Sequence, residues 1–211
     1  MTADALAAWC HVRTQIDWAS AVGETPAPVE AAVDGLAVWC DEGGRYSNPA
    51  RGGRLLAALA QVRADASRKR PLTSVLLAEW QQLVLGLPEV PFRQGDAFAK
   101  GGRERYALTP HTQWDFEYCL RESADPRVPL ASRAARAYLD VAFFHPFPDG
   151  NARLAMLTLA YVLEMEGVRL DQVGPLQTTR YADDAAGAAD LASLVSVLIR
   201  STYHRAARAP H

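Results

Sequence analysis

Between His145 and Arg153 the chain reads His-Pro-Phe-Pro-Asp-Gly-Asn-Ala-Arg. An imidazole, a carboxylate, an amide and a guanidinium thus fall within one short turn. An imidazole with a pKa near ~6.5 can take a proton from a hydroxyl at neutral pH, which makes His145 the candidate base. Asp149 can cap a helix, or offer oxygen to Mg²⁺, which takes few protein carboxylates and fills its shell with phosphates and water. The Asn151 amide can hold a phosphate oxygen, and Arg153 presents a bidentate fork. Gly150 permits a backbone turn that a β-carbon forbids. If a helix opens at Gly150 and Asn151, the N–H groups through Ala152 and Arg153 lack partners and form an anion site. Phe147 is expected to point inward and pin the turn. Each residue has a plainer alternative: a core histidine, a simple N-cap, a surface ion pair. Their concentration in one turn between two apolar runs favours chemistry. His11, His111, His204 and His211 have no such neighbours and read as structural or exposed.

Two helices must hold this turn. Residues 130–144 carry a polar stripe, Arg133, Arg136 and Asp140, on an otherwise apolar helix ending in Phe143-Phe144. Residues 152–166 are apolar nearly all round, as a central buried helix should be. Upstream, Thr73 caps a helix from Ser74 to about Leu85, and Gly86 stops it. Pro88 to Leu108 has no helical period and contains a Lys100-Gly101-Gly102 turn, which predicts a β-hairpin or flap over 91–107. Thr109-Pro110 starts a helix to about Arg121.

The N-terminal part predicts helices over 3–20, with Thr2 as cap, over 27–40, and from Asn48-Pro49 to about Ser67. The run Ser67-Arg68-Lys69-Arg70-Pro71 reads as a solvated helix end. After a loop over Val168 to Ala182, Asp183-Asp184 opens a last helix. The fold class is all-α, a helical bundle with one small β-hairpin. Residues 1–70 form an N-terminal helical region packing on a core of 71–211, and no internal repeat is visible.

The chain has 211 residues, 49% of them hydrophobic, enough for one sizeable core. Its net charge of -2 gives no overall pull toward nucleic acid or an anionic membrane, and neither is expected as a partner. No apolar run reads as long enough to span a bilayer, because Arg or Asp interrupts each one. The N-terminus lacks the basic start and apolar core of a signal peptide. Cys10, Cys40 and Cys119 form neither a metal spacing nor a disulfide framework, so a cytoplasmic location is the expectation. Abundant alanine and arginine in preference to lysine point to a bacterial source with GC-rich DNA.

The stretch HPFPDGNARLAM resembles the signature of the Fic/Doc, or Fido-domain, family: His-x-Phe-x-Asp/Glu-Gly-Asn-Gly-Arg-x-x-Arg. His145, Phe147, Asp149, Gly150, Asn151 and Arg153 match in order. Ala152 stands where the family has glycine, and Met156 where it has the second arginine. With the flanking helices and the hairpin, the resemblance covers roughly Leu72 to Gly167.

What the resemblance implies is a nucleotidyltransferase of the protein-adenylylating kind, moving AMP from ATP to a protein hydroxyl. His145 would deprotonate a target Ser, Thr or Tyr, and Asp149 would hold Mg²⁺. Asn151, Arg153 and the N–H groups from Gly150 through Ala152 would stabilise phosphate charge. The 91–107 flap resembles the hairpin that docks the target by strand pairing. An antitoxin-like regulator is a further partner of the kind the family uses. Three readings stay open: AMP transfer, a Doc-like phosphotransferase or user of another diphosphate-linked donor, and a catalytically degenerate domain that binds a nucleotide or partner. Ser20 to Glu24 partly matches the family's inhibitory pattern, but Thr25 breaks it, and Met156 removes the arginine that Glu24 would pair with.

Overall fold

The computed structural model describes residues 3–44 and 48–208. Eight α-helices and one two-stranded antiparallel sheet are present among them. The central helix is α7 (Asn151–Glu164), which packs on α6 (Leu130–Phe144), α3 (Pro49–Ser67) and α4 (Ser74–Leu85). Leu154 to Leu163 are all buried, which explains the apolar character of every face of this helix. α6 makes a second large contact with the C-terminal helix α8 (Ala185–Ala206), which buries Leu191, Val195, Leu198 and Ile199. By length and composition α8 could cross a membrane, with a mean hydropathy of 1.2. That was not expected from the sequence; here its apolar stripe lies in the core.

The end signals in the sequence work locally. The Thr73 side chain accepts the Leu76 N–H, and Gly86 closes α4 in the left-handed region at φ 69°. Asn48 caps α3, and Asp184 caps α8. The hairpin pairs β1 (Ala97–Ala99) with β2 (Glu104–Tyr106), setting Phe98 opposite Arg105. Helix α5 (Thr112–Arg121) follows.

Two N-terminal expectations are corrected. The helix expected over 3–20 is α1 (Ala5–Gln15), and its cap is Asp4, whose carboxylate accepts the Leu6 N–H. Thr2 lies outside the described residues, as does His211. The helix stops because Trp18 folds back and donates its indole N–H to the Arg13 carbonyl at 3.0 Å. The helix expected over 27–40 shrinks to α2 (Gly35–Asp41), capped by Asp34. Before it the chain is extended: the Val29 N–H donates to Gly167, and the Val29 carbonyl accepts from Arg169. Gly35 lies so close to the 168–184 loop that a Cβ there would sit 2.3 Å from the Asp171 carbonyl oxygen.

One hydrophobic core includes Trp9 and Trp39 from the N-terminal region and Trp80, Phe116 and Phe144 from the rest. The polar stripe on α6 is structural. Asp140, 0% exposed, accepts from the Trp9 indole and twice from the Arg13 guanidinium, fastening α1 onto α6. Arg136 donates to the Glu122 carbonyl, and Arg133 pairs with Glu166. The expected solvated run is partly tied down, since Arg70 pairs with Glu79 and Asp65. Cys10 is half-buried; Cys40 and Cys119 are buried. Burial raises all three thiols, Cys10 to about 11 and Cys40 to about 12, so they behave as small hydrophobes.

Candidate active site

Two residues in the left-handed region bracket the 145–150 turn. His145 ends α6 at φ 47°, and Gly150 precedes α7 at φ 77°. A Cβ on Gly150 would lie 2.6 Å from the Gln81 Nε2, so any other residue must carry the φ 77° strain and push the Gln81 amide aside. His145 pays for its conformation, which costs roughly 1–2 kcal/mol for an L-residue, and other contacts hold it there. Its Nδ1 lies 2.7 Å from the Ala142 carbonyl oxygen. A carbonyl can only accept, so Nδ1 carries the proton and Nε2 of the neutral ring has the free lone pair. Tyr106 of β2 stacks on the imidazole at 4.8 Å between centroids and 12° between planes. The Tyr106 hydroxyl donates to Glu104, which also pairs with Lys100. Burial, aided by the charges of Arg93 and Lys100, holds the imidazole below its ordinary pKa, against the opposing pull of the Ala142 carbonyl and Glu104.

The turn is fixed from three sides. Phe147 is 1% exposed and sets its ring against Phe92, as the inward reading requires. Gln81 of α4 donates to the Asp149 carbonyl. Arg93, at the foot of the flap, is buried and donates to the carbonyls of Phe144, Gly95 and Ala107, while its own N–H donates to Pro146. Arg93, Gln81 and Tyr106 were missed in the sequence. The one available signal was a polar Gln81 on the apolar face of α4.

Asn151 departs from expectation. It is 3% exposed; its Oδ1 accepts the Phe147 N–H at 3.0 Å, and its Nδ2 donates to the Phe147 carbonyl at 2.7 Å. Both polar atoms of the amide thus bond to the backbone of the turn. Asp149 is not the N-cap; that position is Gly150, with no side-chain cap. The Asp149 carboxylate is 79% exposed, accepts the Gly150 N–H at 2.6 Å and lies 3.4 Å from the Arg153 Nη2. The Arg153 N–H turns back to the Gly150 carbonyl. The expected four-donor nest therefore reduces to the N–H groups of Asn151 and Ala152, which have no partner among the described residues. The Arg153 side chain is largely buried; desolvation lowers its pKa, which Asp149 opposes and Arg51 and Arg54 reinforce.

These groups open on a cavity of about 820 Å³ lined by flap residues 93–99, His145, the turn and Arg51. Arg51, Arg93 and Arg153 face Asp96 and Asp149 around it, but the Arg93 guanidinium is spent on carbonyls. A second chamber of about 250 Å³ continues past His145, Ala152 and Arg153 to Met156, which is 2% exposed. The larger space thus lies on the flap side and not beside Met156. Glu24 lines neither cavity; it is exposed, and its carbonyl accepts from Arg200. Among the described residues no cluster of three His, Cys, Asp or Glu side chains could hold a metal unaided. Asp149, exposed at the cavity mouth, is the turn residue whose carboxylate could serve Mg²⁺, which takes few protein carboxylates and fills its shell with phosphate oxygens and water.

An α-helical bundle with one hairpin flap over the N-terminus of its central helix is a Fic-domain fold. Residues 71–163 match the model of the Fic/DOC family. The chain is similar in structure to a Fic-domain-containing signaling protein from Bacteroides thetaiotaomicron VPI-5482. That likeness covers 93% of this chain and 94% of the other, with a TM-score of 0.57 and 14% sequence identity, so it speaks to the fold. No curated protein matches the chain.

Proposed function

We propose that this chain is a Fic-type transferase that moves AMP from ATP to a Ser, Thr or Tyr hydroxyl of a cytoplasmic protein target. The observation that carries the reading is the placement of His145: a neutral imidazole, its tautomer fixed by Ala142, lines the cavity that begins at the uncapped start of α7. The target hydroxyl gives its proton to Nε2. Its oxygen forms a bond to the α-phosphorus, the bond from that phosphorus to the bridging oxygen breaks, and pyrophosphate leaves. The N–H groups of Asn151 and Ala152 and the Arg153 guanidinium face the growing charge on the phosphoryl oxygens. Asp149 would hold Mg²⁺, which would supply charge neutralisation to the donor phosphates. The free edge of β1, beside Gln94 to Ala99 of the cavity wall, offers a target segment strand pairing.

Met156 favours a second reading, a Doc-like phosphotransfer or another diphosphate-linked donor, because a buried thioether cannot grip a terminal phosphate. Incubation with Mg²⁺ and ATP labelled at the α or the γ position separates the two. Label carried from the α position supports AMP transfer, and label from γ alone supports phosphotransfer. No label from either position on any protein refutes ATP as the donor, and with it both AMP transfer and ATP-driven phosphotransfer.

A further inference from the structure

The inner chamber behind His145 has a chemistry that the turn does not explain. Lys100, Arg153 and Arg180 line it, and no carboxylate does. Lys100 is occupied by Glu104, and Arg153 sits beside Asp149. Arg180, on the loop between α7 and α8, forms no ion pair among the described residues. Its Nη1 donates to the Gly187 carbonyl at 2.8 Å, while its Nε is buried without a hydrogen-bond partner. The Trp39 Nε1 of α2, from another wall of the same chamber, is likewise buried and unpartnered. The Gln177 Oε1 is a third such atom, and a half-turn of that amide offers a donor in its place.

Buried donors left unpaired cost free energy that a ligand acceptor recovers. Tyr106, Leu139, Phe143 and Met156 supply mostly apolar walls, and a low local dielectric strengthens a charge-assisted bond formed there. Burial also lowers the Arg180 pKa, opposed first by Tyr138, which shares the chamber wall, and then by Asp190 and Asp184; a bound anion would offset that penalty further. Ala152 and Met156 stand about one turn apart on α7, roughly 6 Å along its axis. An anion chain seated at the start of α7 therefore extends into this chamber.

We propose that Arg180 is a specificity-determining residue that holds the terminal phosphate of the nucleotide donor in the inner chamber, with the Trp39 indole N–H as its neutral partner. The inference rests on the transferase reading, but calorimetry tests it and labelling tests that reading, so the two can fail separately. Wild-type protein is titrated with Mg-ATP, AMP, adenosine and tripolyphosphate, and so are Arg180→Gln, Arg180→Lys and Trp39→Phe. Arg180→Gln should weaken ATP and tripolyphosphate by roughly ten- to a hundredfold while leaving AMP and adenosine unchanged, with partial recovery in Arg180→Lys. Trp39→Phe, which removes one N–H and keeps the ring, should weaken ATP and tripolyphosphate, but not AMP or adenosine, by roughly two- to tenfold. Should Arg180→Gln not fold, Trp39→Phe and the wild-type preference for ATP over AMP decide. Equal losses for ATP and adenosine would place the base in the chamber and overturn the proposal. An unchanged ATP-to-AMP ratio in either folded variant overturns it as well.

Discussion

Asn151→Ala distinguishes an amide that clamps the turn from one that binds phosphate. Asn151 is 3% exposed and makes both of its hydrogen bonds to the backbone of Phe147, itself 1% exposed. Truncation strands one donor and one acceptor in a dry turn, at about 1–3 kcal/mol apiece, a total loss of roughly 2–6 kcal/mol. For a chain of this size each kcal/mol moves Tm by about 2–4 °C, so Tm should fall by roughly 4–24 °C. Thermal unfolding followed by circular dichroism measures this. Asn151→Asp should lose a comparable amount, because an acceptor then faces the Phe147 carbonyl where Nδ2 now donates at 2.7 Å. If Asn151→Ala keeps Tm within about a degree while ATP affinity falls, the side chain is a phosphate ligand and the clamp is refuted.

His145→Ala should abolish transfer and leave ATP affinity nearly unchanged, since the imidazole acts on the incoming hydroxyl; retained turnover would end the mechanism proposed. With the imidazole pKa held below 6.5, the base stays competent on the acid side of neutrality, and kcat/KM should decline only below about pH 6.5 in a pH–rate profile. The sign for stability agrees: a histidine buried neutral binds fewer protons than its unfolded form, so it weakens the fold as pH falls below its unfolded value. Gly150→Ala should strain the turn at φ 77° and push the Gln81 amide off the Asp149 carbonyl; crystallography showing Gln81 and the turn unmoved would contradict this. Met156→Arg should tighten ATP by up to about tenfold in calorimetry if the donor extends along α7, and weaker binding would favour a different donor.

Local signals were legible in the sequence, and long-range ones were not. Thr73 and Gly86 set the ends of α4 through bonds to residues within a turn of themselves, so position in the chain sufficed. The same holds for Gly101 and Gly102 in the flap and for α6 and α7, whose periodicity is strong. The region 26–34 failed because its geometry is set by pairing with Gly167 and Arg169, far away in the chain. Asp140 looked like part of a polar stripe because its partners, Trp9 and Arg13, lie on a helix more than 120 residues earlier.

The candidate site shows the same division. Residue types suggested a chemistry at His145, Asp149 and Arg153, and orientation sets what each group is free to do. The turn needs its own backbone satisfied before it can serve a ligand. Asn151 and Gln81 bond to its carbonyls and N–H groups, and Asp149 takes the Gly150 donor. What remains is narrow: Nε2 of one imidazole, two N–H groups at the start of α7, and an Arg153 guanidinium paired with Asp149 at 3.4 Å. In the transfer proposed above, the first would take a proton and the others would meet charge. The residues around them, Tyr106, Arg93 and Gln81, hold that small set in place, and their removal should reduce the rate through lost positioning.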